Sequence, residues 1–311
     1  MNKKGVLVKK IIEDNNLSIF YGESGLDREV VEDMICRPGM ELCGYLDFYE
    51  PQRIVLIGTK EATFLSTLPH DLQIERVKNI FNLEPPLIVF SKNVSLPSYF
   101  LDFAKEHNIA ICKSDLSTTA TSSKLYTYLQ EILAARISLH ATFLDIHGVG
   151  TLIMGHSGIG KSETALDLIK RGHQLISDDL VEIFEKEPGN LIGTAPDILK
   201  RYMEIRGIGI VDVVHMFGAA AYRPKKNVRL AIELENWDQN KYYDRLGLKQ
   251  EKIKFFDTEI TKMIIPVLPG RNVALLVESA ALNEKLRIYN NYNDAKAFVD
   301  AVNKKARGEE E

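Results

Sequence analysis

Short apolar runs separated by polar stretches predict the elements of the first part of the chain. Runs of this length, bounded by glycine or proline, are typical of buried strands, and three occur, at 53–58, 87–90 and 109–112. Residues 99–104 have helical character. Strands that alternate with helices favour a largely parallel sheet, so residues 1–130 are predicted to form a small α/β domain.

A hydroxyl-rich run at 117–123 has no apolar periodicity and is predicted to be an interdomain linker that caps a following helix. The helix is expected to begin near Lys124, because apolar side chains beyond it recur on one face, namely Leu125, Leu129, Ile132 and Leu133. The domain boundary is therefore predicted near residue 130, which makes residues 131–311 a second domain.

The second domain contains the most informative change of pattern. A mostly apolar run over 149–154 predicts a buried strand, and apolar residues over 165–169 recur at helical spacing until Gly172. Between them stands Gly155-His156-Ser157-Gly158-Ile159-Gly160-Lys161-Ser162. This run fits the P-loop pattern, in which two glycines separated by four residues precede lysine and serine.

The residue types of the loop suit phosphate binding. Glycines let backbone N–H groups converge on phosphate oxygens, and the following helix adds the positive end of its dipole. Lys161 can reach the outer phosphates and the Ser162 hydroxyl can ligate Mg²⁺. A glycine turn that matches by chance is expected in about one of a hundred chains of this length. The loop therefore predicts a nucleotide or polyphosphate site.

Beyond the loop the second domain is predicted to be strand-rich. Strands are expected at 228–234 and 264–267, and a further short buried run lies at 274–277. A helix is predicted at 295–302, followed by a charged tail. Both domains are thus assigned to the α/β class.

Composition and charge narrow the choice of partners. The 311 residues are 45% hydrophobic and 26% charged, as in ordinary globular proteins. A formal net charge of -4 gives no reason to expect nucleic acid. The three cysteines lack metal-ligand spacing and are predicted to be reduced thiols. Neither a signal peptide nor a run of 18 apolar residues is apparent, so a cytoplasmic protein without a membrane partner is expected.

An acidic pair is the second candidate for chemistry. Asp178 and Asp179 follow an apolar pair and come seventeen residues after Lys161. Such a pair at a strand end near a P-loop can supply a Mg²⁺ contact and a base. The alternative is a solvated turn or a helix cap. The short spacing argues against an ordinary motor or GTPase core, whose Walker-B aspartate lies further along the chain.

A third candidate is the run from Met203 to Ile210. On an extended chain Glu204 and Arg206 share one face, while Met203 and Ile205 point to the other. A carboxylate beside a guanidinium suits one metal contact and one phosphate contact. A surface ion pair is the alternative.

Three further residues carry little signal of their own. Arg245 and Arg271 lie in polar, turn-like settings, where a lone arginine is usually solvated. His140, taken alone, is more often a core or capping histidine than a catalytic one.

Together these motifs resemble the bacterial HPr kinase/phosphorylase family. The resemblance rests on residues 155–162 followed by Glu163, on 177–179 and on 204–210. Residues 266–272 match the family's flexible segment used in dephosphorylation, and His140 matches the family's catalytic histidine.

The resemblance implies an enzyme that uses Mg²⁺ and ATP, with pyrophosphate as an alternative donor, to phosphorylate a serine of the phosphocarrier protein HPr. It also implies that inorganic phosphate removes this phosphoryl group to give pyrophosphate. A homohexamer that regulates carbon catabolite repression is implied as well. The catalytic domain is expected to resemble phosphoenolpyruvate carboxykinase.

The resemblance also implies roles for the candidate residues. Residues 155–162 would bind phosphate, with Lys161 neutralising developing charge, and Ser162 and Glu204 would hold Mg²⁺. Asp179, assisted by Asp178, would accept the serine proton and return it in the reverse direction. Four residues would surround the transferring phosphoryl group, namely His140, Arg206, Arg245 and Arg271.

Two other functions stay open at this point. One is a small-molecule enzyme of the carboxykinase type, which would turn over oxaloacetate and need no protein acceptor. The other is an ATP-binding regulatory protein whose N-terminal domain is the effector module. The presence of both Asp178 and Asp179 argues against it, because binding alone needs no base.

Overall fold

The computed structural model describes residues 5–47, 49–241, 243 and 251–290, with positions 297, 299 and 304. The chain divides into two compact units, Met1–Ala134 and Ala135–Glu311. The predicted C-terminal helix and charged tail lie almost wholly outside the described residues.

Strands and helices alternate along the first unit. Its described strands are β1 (Val6–Leu7), β2 (Ser18–Tyr21), β3 (Glu29–Val30), β4 (Ile35–Cys36), β5 (Ile54–Ile57), β6 (Leu87–Phe90) and β7 (Ala110–Lys113). Its described helices are α1 (Val8–Asn15), α2 (Gly39–Cys43), α3 (Thr59–Thr67), α4 (His70–Asn82), α5 (Tyr99–His107) and α6 (Thr118–Leu133). The strands predicted near 53–58, 87–90 and 109–112 are confirmed as β5, β6 and β7.

A five-stranded sheet forms the centre of the first unit. Its order is β2-β7-β6-β5-β4, and β4 to β7 run parallel while β2 is antiparallel. Val55 and Ile57 share a core with α4 and α5, whereas Ile54 and Leu56 share one with α1 and α6. Helices therefore cover both faces, because side chains alternate across a strand. The predicted, largely parallel α/β arrangement is confirmed.

The predicted linker at 117–123 is wrong. Helix α6 begins at Thr118, and the Ser117 hydroxyl caps it by accepting from the Ala120 N–H at 3.4 Å. Thr121 lies buried inside the first turns and donates to the Ser114 hydroxyl at 2.8 Å. Hydroxyl groups that bond locally can start a helix without any apolar periodicity, so the run is the first part of the helix.

The second unit is richer in strands. Those described are β8 (Arg136–His140), β9 (Thr142–Ile146), β10 (Val149–Met154), β11 (Gln174–Ser177), β12 (Leu180–Glu187), β13 (Asn190–Thr194), β14 (Tyr202–Ile205), β15 (Gly209–Asp212), β16 (Lys225–Asn236), β17 (Glu251–Phe255) and β18 (Thr258–Val267). The helices described are α7 (Lys161–Lys170), α8 (Val213–Phe217) and α9 (Val273–Asn290).

In the part of this unit that the structure describes, the strands form a nine-stranded mixed sheet and a separate β14–β15 hairpin. Strand β16 is the longest of the described strands and pairs with β13, β10 and β18. Its pairings with β10 and β18 are parallel, so the carboxyl ends of all three strands share one edge. The glycine loop follows β10 and the turn at 268–272 follows β18, which brings both segments to that edge.

The short buried run predicted at 274–277 belongs to helix α9. Ala274, Val277 and Ala281 are buried at helical spacing in the core that also holds Leu168 and Ile169 of α7. Four apolar residues are too few to separate a strand from a buried helix by pattern alone. In the described part of the chain, no helix has both the length and the apolarity needed to cross a membrane.

Gly150 provides a test of the β10–β16 contact. A Cβ added there would lie 2.0 Å from the Asn227 carbonyl oxygen, at a register shift between the strands. Because backbone cannot yield as a side chain can, Gly150→Ala should lower the free energy of unfolding by about 1–3 kcal/mol. Trp237, the chain's one tryptophan, lies in this unit, so its fluorescence during urea unfolding measures the change.

Ser279→Ala serves as the matched control, because Ser279 is exposed in α9. Its effect should stay within about 0.5 kcal/mol. An equally small effect of Gly150→Ala would contradict the close approach.

Candidate active site

The glycine loop has the strand–loop–helix context that the sequence predicts. Strand β10 ends at Met154 and α7 begins at Lys161. Gly155, Gly158 and Gly160 all have positive φ, which glycine adopts without steric cost. A Cβ at Gly155 would also lie 2.6 Å from the Leu234 carbonyl oxygen, so the loop depends on glycine there.

Other residues of the loop make contacts of their own. Lys161 Nζ donates to the carbonyls of Gly155 and His156, at 2.9 and 3.3 Å. The His156 ring lies 3.2 Å from the Asn236 amide at the end of β16. Ile159 packs into the core.

Asp178 is a buried hydrogen-bonding centre at the end of β11. Its side chain is 3% exposed, and its Oδ1 accepts from Thr142 Oγ1 at 2.8 Å and from Ser162 Oγ at 3.1 Å. Its Oδ2 accepts from the Glu204 N–H at 3.2 Å. Burial raises the pKa of Asp178 above its ordinary value, and these hydrogen bonds oppose the rise.

Asp179 has the opposite environment. Its side chain is 72% exposed and lies 3.8 Å from His140 Nδ1. The residue has a φ of 66°, so the chain turns sharply between the two aspartates. The Asp178 carboxylate is therefore buried and hydrogen-bonded to Ser162, while the Asp179 carboxylate is open to solvent beside His140.

The β14–β15 hairpin supplies Glu204 and Arg206. Met203 and Ile205 are buried in the core and Glu204 is exposed, which confirms the predicted alternation. A Cβ added to Gly158 would lie 3.2 Å from Arg206 Nη1, so the guanidinium stands beside the glycine loop.

These residues enclose a polar pocket of about 120 Å³. Its lining consists of Ser157, Gly158, Gly160, Lys161, Ser162, Glu163, Asp178, Asp179, Glu204 and Arg206. Oxygen atoms of Ser162, Asp178 and Glu204 are available together in it, and Mg²⁺ prefers oxygen ligands. The donor set therefore fits a magnesium ion, while Lys161 and Arg206 suit phosphate.

One predicted arginine, Arg271, does not line this pocket. Arg271 lines a neighbouring pocket of about 410 Å³, which shares Gly160 and Glu163 with the first. Arg271 is the last residue of a turn, in which its N–H donates to the Leu268 carbonyl at 3.1 Å. Arg245 lies outside the described residues.

Sequence reasoning missed Thr142 as a functional residue. It is fully buried in β9, 36 residues before the carboxylate that it bonds. A threonine in a strand is too common to signal such a contact. The sequence indicates Glu163 only as the residue after the P-loop motif, although Glu163 lines both the polar pocket and the pocket of Arg271.

Loop, buried aspartate and flanking cations together define a P-loop protein equipped for phosphoryl transfer. The family description "HPr Serine kinase C-terminal domain" matches residues 131–302, and "HPr Serine kinase N terminus" matches residues 6–129. The chain belongs to the HPr serine kinase family.

Curated relatives agree with this assignment. The HPr kinase/phosphorylase of Bacillus cytotoxicus is 44% identical over 282 residues, which cover 91% of each chain. The HPr kinase/phosphorylase of Bacillus velezensis is 42% identical over the same shares. A solved Hpr(Ser) kinase/phosphatase from Coxiella burnetii is 36% identical and covers 50% of this chain and 94% of its own, with a TM-score of 0.47.

Removing the Thr142 hydroxyl tests how much its hydrogen bond stabilises the buried Asp178 carboxylate. Thr142→Val removes one hydrogen bond to an ionised group, so the free energy of unfolding at neutral pH should fall by about 1.5–3 kcal/mol. The pKa of Asp178 is higher in the folded protein than its ordinary value of 3.8, so ionising this carboxyl group lowers the stability of the folded state. The loss begins as pH rises above 3.8 and is complete above the folded pKa. The substitution raises the pKa further, so its penalty should shrink as pH falls toward 3.8.

Urea unfolding of both proteins at neutral and acid pH measures this difference, and other titrating groups cancel between them. Thr142→Ser keeps the hydroxyl and should show a smaller penalty with little pH dependence. A Thr142→Val penalty that is the same at both pH values would contradict the assignment.

Proposed function

We propose that the chain transfers the γ-phosphoryl group of ATP to a serine of HPr, and that it also removes this group with inorganic phosphate. The two relatives from Bacillus carry the name HPr kinase/phosphorylase. The observation that carries the proposal is the pair of adjacent aspartates beside the glycine loop, one buried and one exposed. Binding alone would need no such exposed base.

In the kinase direction, Asp179 accepts the proton of the serine hydroxyl as the serine oxygen bonds to the γ-phosphorus. The bond from that phosphorus to the ADP oxygen breaks, and ADP leaves. His140 lies 3.8 Å from Asp179 and can orient its carboxylate. Positioning and charge stabilisation supply most of what phosphoryl transfer requires.

In the phosphorolysis direction, an oxygen of inorganic phosphate attacks the phosphorus of phosphoserine. The serine oxygen leaves and takes a proton from Asp179, so the products are HPr and pyrophosphate. One carboxyl group serves both reactions because the second reverses the proton's route.

The glycine loop and its neighbours would offset the negative charge of the bound phosphates. Lys161 Nζ now donates to two loop carbonyls, and bound phosphate oxygens would replace them as acceptors. Arg206, beside Gly158, would contact the transferring group. Ser162 and Glu204 would hold Mg²⁺, with Asp178 behind Ser162; the ion, when bound, offsets phosphate charge.

Several finer properties complete the proposal. The chain would act as a cytoplasmic homohexamer that regulates carbon catabolite repression. Residues 1–130 would form its N-terminal domain, and residues 131–311 a catalytic domain resembling phosphoenolpyruvate carboxykinase. Arg245 would join the phosphoryl site. Light scattering of the purified chain tests the hexamer.

A label-transfer assay tests the main proposal. ATP labelled at the γ-phosphate is incubated with the chain, with and without HPr, and label on HPr serine is measured. Labelled phosphoseryl-HPr is then incubated with inorganic phosphate, and labelled pyrophosphate is measured. Lys161→Ala should lose both reactions. Turnover of oxaloacetate without HPr would favour the carboxykinase alternative, and no transfer at all would favour a binding protein.

Asp179→Asn should reduce the transfer rate at least about 100-fold, the low end for general acid–base catalysis. Binding of Mg²⁺-ATP should remain nearly unchanged, because the exposed carboxylate is not bonded to Ser162. Rapid-quench measurement of label transfer and calorimetric titration of the nucleotide give the two values. Asp257→Asn, at an exposed aspartate in the turn after β17, is the control and should change neither. Normal transfer with weak nucleotide binding would reassign Asp179 to the metal.

Arg271→Ala should damage phosphorolysis much more than phosphorylation. Arg271 lies in the pocket next to the glycine loop, where its guanidinium could bind incoming inorganic phosphate through two parallel hydrogen bonds. Kinase chemistry has no separate phosphate to hold. Both rates are measured on one preparation over a range of phosphate concentrations.

Arg229→Ala, at an exposed arginine of β16, is the matched control and should leave both rates unchanged. Equal losses in the two directions for Arg271→Ala, or none in either, would contradict a phosphate-specific role.

A further inference from the structure

Three potential metal ligands meet away from the glycine loop, at the far end of α7. His147 lies in the turn between β9 and β10, His173 follows α7, and Glu278 lies in α9. The Nε2 atoms of the two histidines lie 3.2 and 3.0 Å from the same oxygen, Glu278 Oε1. All three ligand atoms lie within 4.8 Å of one another.

The two histidine-to-glutamate separations match a tetrahedral zinc site. Two ligands at about 2.0–2.1 Å from zinc, at a tetrahedral angle, are about 3.3 Å apart. Both distances from His147 and His173 to Glu278 Oε1 are close to that value. Two imidazoles and one carboxylate also form a common zinc ligand set.

Arg171 holds the carboxylate in position for a single ligand atom. Its Nη1 lies 3.2 Å from Glu278 Oε2, which leaves Oε1 to face the histidines. Its Nη2 lies 3.2 Å from Asp167 Oδ2, so Asp167 offsets the charge of the guanidinium. Groups that orient metal ligands in this way commonly tune metal affinity.

We propose that His147, His173 and Glu278 form a zinc site. Each imidazole binds through Nε2 and therefore carries its proton on Nδ1. His173 is 5% exposed and anchors the site, whereas His147 is 36% exposed and gives the ion a path from solvent. Water completes the tetrahedron at the fourth position.

The site connects three segments, two of which begin beside the phosphate pockets. Helix α7 begins at Lys161, and α9 begins two residues after Arg271. A bound ion joins the far end of α7 to α9 and to the β9–β10 turn. The proposal is independent of the substrate of the P-loop site.

Calorimetric titration of Zn²⁺ into the full chain tests the proposal. The protein is first treated with a chelator and then kept in excess Mg²⁺ with ADP, so that the P-loop pocket does not take up zinc. One zinc ion per chain is expected. His147→Ala should weaken zinc binding at least about 100-fold, the upper end of what loss of an outer contact costs. His147 is exposed, so the variant leaves the buried core intact, and circular dichroism of the variant checks that its φ of 52° is tolerated.

Two further variants sharpen the result. Arg171→Ala removes the orienting contact and should weaken zinc binding about 10–100-fold. His215→Ala is the control, because His215 is an exposed histidine of α8 that pairs with Asp212. Zinc binding by this variant should stay at the wild-type value. Cobalt substitution should give a visible absorption band that His147→Ala abolishes.

The proposal is overturned if the chain binds no zinc under these conditions. It is also overturned if His147→Ala binds zinc as tightly as wild type, or if His215→Ala loses as much affinity as His147→Ala.

Discussion

The arrangement around the glycine loop depends on the burial of one carboxylate, that of Asp178. A buried ion is costly unless donors surround it, and here three segments supply them through Thr142, Ser162 and the backbone of Glu204. Each donor therefore has to stay within hydrogen-bond distance of the carboxylate. Strand β9, the first turn of α7 and the β14 hairpin are held together by the same requirement.

The sharp turn at Asp179 separates two adjacent and chemically identical side chains. Aspartate tolerates positive φ better than most residues, and this conformation turns its side chain outward beside His140. One carboxylate becomes part of the scaffold, while the other is open to solvent. Enzymes often separate the roles of two carboxyl groups through environment in this way.

Sequence patterns predicted what depends on neighbours along the chain. The glycine loop with its strand and helix, and the strand at 87–90, have the predicted form. The start of α6 was missed because hydroxyl groups bond locally within a helix, and α9 because four apolar residues suit either element. The contact of Thr142 with Asp178 and the His147 site could not be predicted from the sequence. The residues that form them are distant along the chain and come together only in the folded protein.

The parallel ladder between β16 and β18 has an evolutionary consequence. Each residue of a strand advances it by about 3.3 Å, so the register of Glu235 opposite Pro266 determines how far the turn at 268–272 reaches past the glycine loop. Insertions or deletions in that turn can move Arg271 while leaving both aspartates untouched. With the phosphate-binding role proposed for Arg271, the balance between addition and removal of the phosphoryl group could thus evolve separately from the two aspartates.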